Sequence, residues 1–221
     1  KIIILAGGIG KRMWPIKTDK CLLPFLGSPL LYHNLKQVKE NLPDAEFIIV
    51  VNPQIKEAVV AVAKELELNY TIAIQTEPKG MADAILCVKD HLDGEILIIN
   101  AEDMLDAKAY QVNKEGDVVF VAKKIDKYFP GGYLKVDGDI VTGIVEKPGE
   151  GNEPSDLVKL VVDYFKDGKK LVSYLEKTSS DTDDVYEVAL DMMIADGMDV
   201  KFTKYEGIWI PLKYPWQILD I

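Results

Sequence analysis

The first ten residues constrain this chain more than any other stretch. A branched apolar run, Ile2 to Leu5, breaks directly into Ala6-Gly7-Gly8-Ile9-Gly10. β-Branched runs favour extended chain, and glycines without a Cβ let the backbone turn with φ > 0 or approach a ligand closely. Cations follow at once: Lys11, Arg12, Lys17 and Lys20, with Asp19 the single acid among the first twenty residues. The chain as a whole carries a net charge of −10, so this corner opposes the rest of the molecule. Arg12 is also the only arginine in 221 residues. Its planar fork grips phosphate oxygens in a bidentate way that lysine does not match. The stretch therefore reads as a phosphate-binding strand-to-helix turn.

Two familiar glycine motifs fail here. A Walker-type loop needs Ser or Thr after its Lys and a glycine five residues before it, whereas Lys11 precedes Arg12 and that earlier position holds Ala6. A dinucleotide fingerprint needs a third glycine, where this chain has Met13. What the stretch resembles is the signature of the sugar-1-phosphate nucleotidylyltransferases. The matching positions are Leu5 to Gly8, Gly10, Arg12, Met13, Pro15, Thr18, Lys20 and Leu22 to Pro24. Asp19 and Cys21 replace the prolines that flank the family's lysine.

At 221 residues the chain can bury a large core as one domain or as two lobes sharing a sheet. Its acidic balance argues against a nucleic-acid partner, which would call for a basic stripe. No apolar run approaches the ~20 residues of a membrane span, so no membrane association is expected. The amino terminus reads as a core strand without a leader pattern, and Cys21 and Cys87 form no CxxC pair. Reduced, packed thiols and a cytoplasmic location are the expectation. His33 and His91 lack metal-ligand spacing, and His33 reads as structural.

Ser28-Pro29 predicts a capped helix over Leu30 to Leu42, Phe47 to Val51 a strand covered on both faces, and Asn52-Pro53 a helix to Leu66. A strand over Tyr70 to Ile74, a helix over Gly80 to Leu92, a strand over Glu95 to Ile99 and another over Val118 to Lys123 follow. This alternation predicts an α/β fold with a doubly wound, mostly parallel Rossmann-like sheet flanked by helices. Ligands in such sheets sit at the carboxyl ends of strands, where the glycine loop, Gln75 and Asn100 to Asp103 all fall. Asp137-Gly138 marks a hairpin, and helices near Lys169 to Lys177 and Asp184 to Ala195 precede a strand near Val200. The expectation is a single domain over residues 1–221, with a nucleotide-binding half to about 125 and a smaller sugar-phosphate-binding half over 126–221.

The resemblance extends in order along the chain. Gln75 and Gly80 fall where the family contacts the base, and Leu5, Ala6, Gly7, Gly8, Gly10 and Lys11 where it cradles the nucleotide. Asn100-Ala101-Glu102-Asp103 falls where a family Asp holds Mg²⁺, with either Glu102 or Asp103 in that register. Adjacent carboxylates after a buried strand suit Mg²⁺, which prefers oxygen ligands together with phosphates. Gly132, Glu146 and Lys147 fall at the sugar phosphate. Lys159 and Val161 replace the Asn and Gly of a sugar-contacting stretch, and Pro211 stands where a second metal-binding Asp belongs. The resemblance implies transfer of a nucleoside monophosphate from an NTP to a sugar 1-phosphate. The Gln75–Gly80 spacing is similar to that of thymidylyl- and uridylyltransferases and favours UTP or dTTP, whereas Arg12-Met13-Trp14-Pro15 resembles guanylyltransferases. Arg12 and Lys20 would be the catalytic cations. Pro211 leaves open a second reading, a relative that binds nucleotide or sugar without turnover. The reading also leaves room for a homo-oligomer.

Overall fold

A computed structural model describes residues 1–8, 10–180 and 184–221, together with the backbone but not the side chain of Lys11. Strand β1 (Ile2–Ala6) ends in the glycine loop, which leads into single tight helical turns at Lys11–Met13 and Lys20–Leu22. A small hairpin, β2 (Pro24–Phe25) and β3 (Ser28–Pro29), precedes helix α1 (Leu30–Asn41). The expected Ser28 cap is not made: Ser28 and Pro29 are paired in the hairpin, and the helix starts at Leu30. His33 Nε2 bonds the Phe25 carbonyl at 2.8 Å, a structural role as expected. Then come β4 (Phe47–Val51), α2 (Lys56–Glu65) and β5 (Tyr70–Ile74). Asn52 Oδ1 accepts from the Gln54 and Ile55 amides and turns the chain toward α2. Helix α3 (Met81–Leu86) is shorter than its apolar spacing suggests, giving way to a tight turn at Lys89–His91.

After β6 (Ile96–Asn100) and the short β7 (Asp103–Leu105), β8 (Val118–Lys124) returns to the sheet. The hairpin at Asp137-Gly138 joins β9 (Gly132–Asp137) to β10 (Ile140–Glu146). Strand β11 (Leu157–Phe165), absent from the sequence reading, is followed by α4 (Gly168–Leu175), α5 (Val185–Ala195), β12 (Val200–Lys204) and the short β13 (Trp209–Pro211). The main sheet is ordered β5-β4-β1-β6-β11-β8-β12-β10-β9. Strands β10 and β11 run against the others, so the α/β sheet is mixed, with a parallel block over β5, β4, β1 and β6.

Period-two alternation divides the core between the two faces. Ile2, Ile4 and Ala6 pack with Leu31, Leu35 and Val38 of α1 and Val59 and Val62 of α2. Ile3 and Leu5 face the other way, toward Ile85 of α3, Leu171 of α4 and Leu190 of α5. Each such side chain contributes on the order of 1.5–3 kcal/mol through burial. A third, smaller cluster joins Met13, Leu23 and Leu30 to Leu212, and thus ties the turn after the glycine loop to the chain beyond β13. Cys21 is buried as expected, but Cys87 is exposed: it caps the short α3 on its outer side, between the buried Ile85 and Val88. No helix among the described residues is long and apolar enough to cross a membrane.

Candidate functional site

The glycines of the loop are held in close quarters. A Cβ on Gly7 would come within 2.4 Å of Gln75 Oε1, and one on Gly8 within 3.1 Å of Glu102 Oε1. Gly10 has φ 57° and ψ 35°, the left-handed region that glycine enters without a Cβ clash. Its carbonyl accepts from the Met13 amide at 2.8 Å and closes the turn that carries Arg12. Met13 is buried in the small cluster while Arg12 is exposed, so the turn is anchored by one side chain and presents the next. Leu5 and Ala6 are buried at the end of β1; the Lys11 side chain lies outside the described residues.

Gln75 is buried after β5, with Nε2 donating to the Gly80 carbonyl at 3.1 Å and to Asp83 Oδ2 at 2.8 Å. Gly7, Gln75 and Gly80 are thereby brought together. Lys20 pairs with Glu102, both side chains being 13% exposed. Burial pushes the Glu102 carboxyl upward, and Lys20 opposes that shift. Asp103 opens β7, faces Pro211 in the two-stranded β7–β13 ribbon, and accepts from the Trp209 indole N–H at 3.3 Å. Asn34 on α1 fixes this bend by donating to the Ala101 and Asp103 carbonyls, each at 3.0 Å. Burial raises the Asp103 carboxyl pKa, against the pull of Trp209 and Lys213.

The second group of expected residues is equally local. Gly132 lies opposite Glu146 in the β9–β10 hairpin, and a Cβ there would sit 3.3 Å from Glu146 Oε2. Glu146 Oε1 accepts from Lys147 Nζ at 2.6 Å. Burial works to lower the Lys147 pKa, but its pairing with Glu146 outweighs this and holds it above the usual lysine value. Lys147 has φ 46°, rare for a residue with a Cβ, and such backbone strain, of order 1–3 kcal/mol, clusters at functional sites.

The sequence reading missed three contributors. Lys213 is half-buried. Its Nζ donates to the Pro130 carbonyl at 2.9 Å and lies 4.0 Å from the centre of the Phe129 ring. Burial lowers its pKa to about 8, and the charges that reach it are those of Asp103, Arg12, Glu146 and Lys147. The Lys213–Pro130 bond and the packing of Phe129 on Trp209, which donates to Asp103, link the Asp103 bend to the segment leading into Gly132. Glu187 on α5 is the second: its carboxyl is pushed up to about 7 by burial, against Lys159 and with Glu146 adding to the rise. The third is a buried set on β11 and α5, in which Lys159 Nζ meets Asp163 Oδ2 at 2.6 Å and Tyr186 donates to the same oxygen at 2.8 Å. Lys159 thus points into a fixed ion pair. Two of these left a readable trace: Lys159 by standing where the family has Asn, and Lys213 by its place two residues after the anomalous Pro211.

The donor set suits a divalent cation that takes most of its ligands from phosphate. Asp103 is a buried hard-oxygen donor, while Glu102 is engaged by Lys20 and residue 211 lacks a side-chain oxygen. Among the described residues, no group of three or more His, Cys, Asp or Glu side chains could hold a metal alone. A cavity of about 310 Å³ near Lys1, Glu95 and Tyr164 is lined by none of these site residues.

Open α/β sheets take nucleotides at the carboxyl ends of their strands, and backbone nests there favour anions; the fold and the loop after β1 define a protein of that class. The chain belongs to the nucleotidyl transferase family, whose sequence profile matches residues 1–210. It is 26% identical to the UTP–glucose-1-phosphate uridylyltransferase AglF of Haloferax volcanii, over 96% of this chain and 91% of that protein. It is 29% identical to the bifunctional protein GlmU of Methanocaldococcus jannaschii, over 99% of this chain but 52% of that protein. The chain thus spans nearly all of one relative and about half of the other. Among solved structures, a putative glucose-1-phosphate thymidylyltransferase from Bacillus anthracis superposes with a TM-score of 0.84 at 19% identity, covering 100% of this chain and 92% of that one. A UDP-glucose pyrophosphorylase complexed with UDP-glucose gives a TM-score of 0.83 at 16% identity, covering 99% and 95%. The name of AglF is that of a nucleotidyl-transferring enzyme, which does not favour the binding-only reading.

Proposed function

We propose that this chain transfers a nucleoside monophosphate from an NTP to a sugar 1-phosphate, giving an NDP-sugar and pyrophosphate. The observation that carries the reading is the convergence on the glycine loop of Gln75 beside Gly7, Glu102 beside Gly8 and Lys20 beside Gly10. Those side chains come from three separate segments of the chain and meet where the donor would lie. A sugar phosphate is already an anionic nucleophile, so no general base is required. The barrier is the approach of two anions, and the remedy is positioning with charge neutralisation.

In this reading the amides of Gly7, Gly8 and Gly10 cradle the triphosphate, with Leu5, Ala6 and Lys11 beside it. Arg12, exposed and carried on an anchored turn, holds the departing phosphates. Lys20 releases Glu102 and draws the sugar phosphate in line. Gln75, locked to Gly80 and Asp83, shapes the base subsite. Gly132 makes room beside Glu146, which orients the sugar, and Lys147 meets its phosphate. Mg²⁺ held by Asp103 and phosphate oxygens, with Glu102 nearby, would supply charge neutralisation when bound. UTP or dTTP with a glucose-type phosphate is the favoured pair. The test is a grid of NTPs against sugar 1-phosphates in Mg²⁺, scored for pyrophosphate. Release with one pair supports the reading, and nucleotide binding with no release from any pair refutes it.

A further inference from the structure

We propose that Lys213 is a phosphate-binding residue, supplying fixed positive charge at the end of the β7–β13 ribbon where Pro211 leaves Asp103 without a facing carboxylate. The inference rests on the proposed transferase function and concerns a residue outside the motif that suggested it. In the ribbon, Asp103 is directly opposite Pro211, with Leu105 opposite Trp209. Directly opposed residues of an antiparallel pair project on one face, so this ribbon offers one carboxylate where an acid at 211 would make two.

Lys213 is held in place from several sides. Its backbone N–H donates to Gln217 Oε1 at 2.7 Å and to the Pro211 carbonyl at 3.1 Å. Leu212 beside it is buried with Met13, the neighbour of Arg12, so the same apolar cluster fixes the backbone under both cations. The ammonium lies over the Phe129 ring, which packs edge-on against Trp209 at 4.7 Å, and Trp209 donates to Asp103. One of three ammonium donors goes to the Pro130 carbonyl, leaving two. Among the described residues, Lys20, Lys147 and Lys159 each have a carboxylate within ion-pair distance, and Lys213 has none.

The local balance points to an anion. Asp103 and Glu146 attract Lys213, while Arg12 and Lys147 repel it. With Lys147 paired to Glu146, the charge of Lys213 is left to act on Asp103. In a chain of net charge −10, Arg12 and Lys213, carried beside Met13 and Leu212 of one apolar cluster, form a site for phosphate oxygens. Those oxygens belong either to the nucleotide or to the sugar phosphate.

Calorimetric titration of wild type, Lys213→Gln and Lys213→Arg separates these sources. UTP and glucose 1-phosphate are each titrated in EDTA and in Mg²⁺, with melting temperatures recorded. Glutamine keeps a donor for Pro130 and removes the charge, whereas arginine keeps both. Lys213→Gln is expected to weaken one of the two ligands about 10- to 100-fold, as loss of a charged hydrogen bond does, with Lys213→Arg retaining most of the affinity. A loss for UTP places Lys213 at the nucleotide, and a loss for glucose 1-phosphate places it at the acceptor. Wild-type affinity of a folded Lys213→Gln protein for both ligands overturns the proposal. Equal losses in the two variants assign the effect to packing at Phe129 and also overturn it. If wild type binds neither ligand, the transferase reading fails first and this assignment falls with it.

Discussion

At the carboxyl edge of β1, close approach of side chains to backbone is made by subtraction: Gly7 leaves room for Gln75, Gly8 for Glu102, and Gly10 turns left-handed. Across from it, on β10, β11 and α5, the same problem is met by addition. There, charged side chains are paired with one another, deep in the core for Lys159 with Asp163 and Tyr186, and nearer the surface for Glu146 with Lys147. The first region depends on the absence of side chains and tolerates no new atom. The second depends on its ion pairs and is weakened when one partner is removed.

That contrast can be broken at both ends. The largest effect is expected in the second region. Lys159→Met leaves the fully buried Asp163 carboxylate unpaired, for a loss of about 3–5 kcal/mol in chemical denaturation. Adding Asp163→Asn should recover much of it, and a single variant as stable as wild type would dissolve the distinction. In the first region, Arg12→Ala should lower turnover by about 10²–10³ while leaving the melting temperature unchanged, because the side chain is exposed. A smaller effect belongs to Glu187. Its carboxyl, pushed up to about 7, binds its proton more tightly folded than unfolded, where the ordinary value is 4.5. Stability is therefore lost as pH rises from about 4.5 through about 7. Glu187→Gln should be the more stable protein at pH 8 by on the order of 2 kcal/mol, with the gap closing in acid, as pH-dependent denaturation curves would show. Least of all, Gly7→Ala should cost about 1 kcal/mol through contact with Gln75, measured against Gly94→Asn, where the space is open and only the left-handed backbone is strained.

The same contrast explains what the sequence revealed. Subtractive features are local and leave a trace in order: glycines after an apolar strand, then a lone arginine. The strands Phe47–Val51 and Tyr70–Ile74 were equally plain, being short apolar runs between turn residues. Strand β11 was not, because Lys159 and Asp163 interrupt its apolar pattern, and only a tertiary partner makes those charges tolerable inside. Lys213 and Glu187 escaped for a related reason. Each lies beside residues distant in sequence, and a lysine or glutamate in a charged chain carries no mark of its neighbours. Helix α3 ended early and Cys87 surfaced, because helical spacing persists past the point where the backbone tightens at Lys89.

The position of β11 has a consequence for how this chain could be cut. Although it lies beyond residue 125, it is hydrogen-bonded between β6 and β8, which both precede that point. A protein severed in the connection between β8 and β9 would leave β6 and β8 of the first fragment with bare edges, and the second fragment with a strand that keeps only its pairing with β9. Such pieces should fold only when mixed, and their reassembly would restore donor and acceptor regions in a single event.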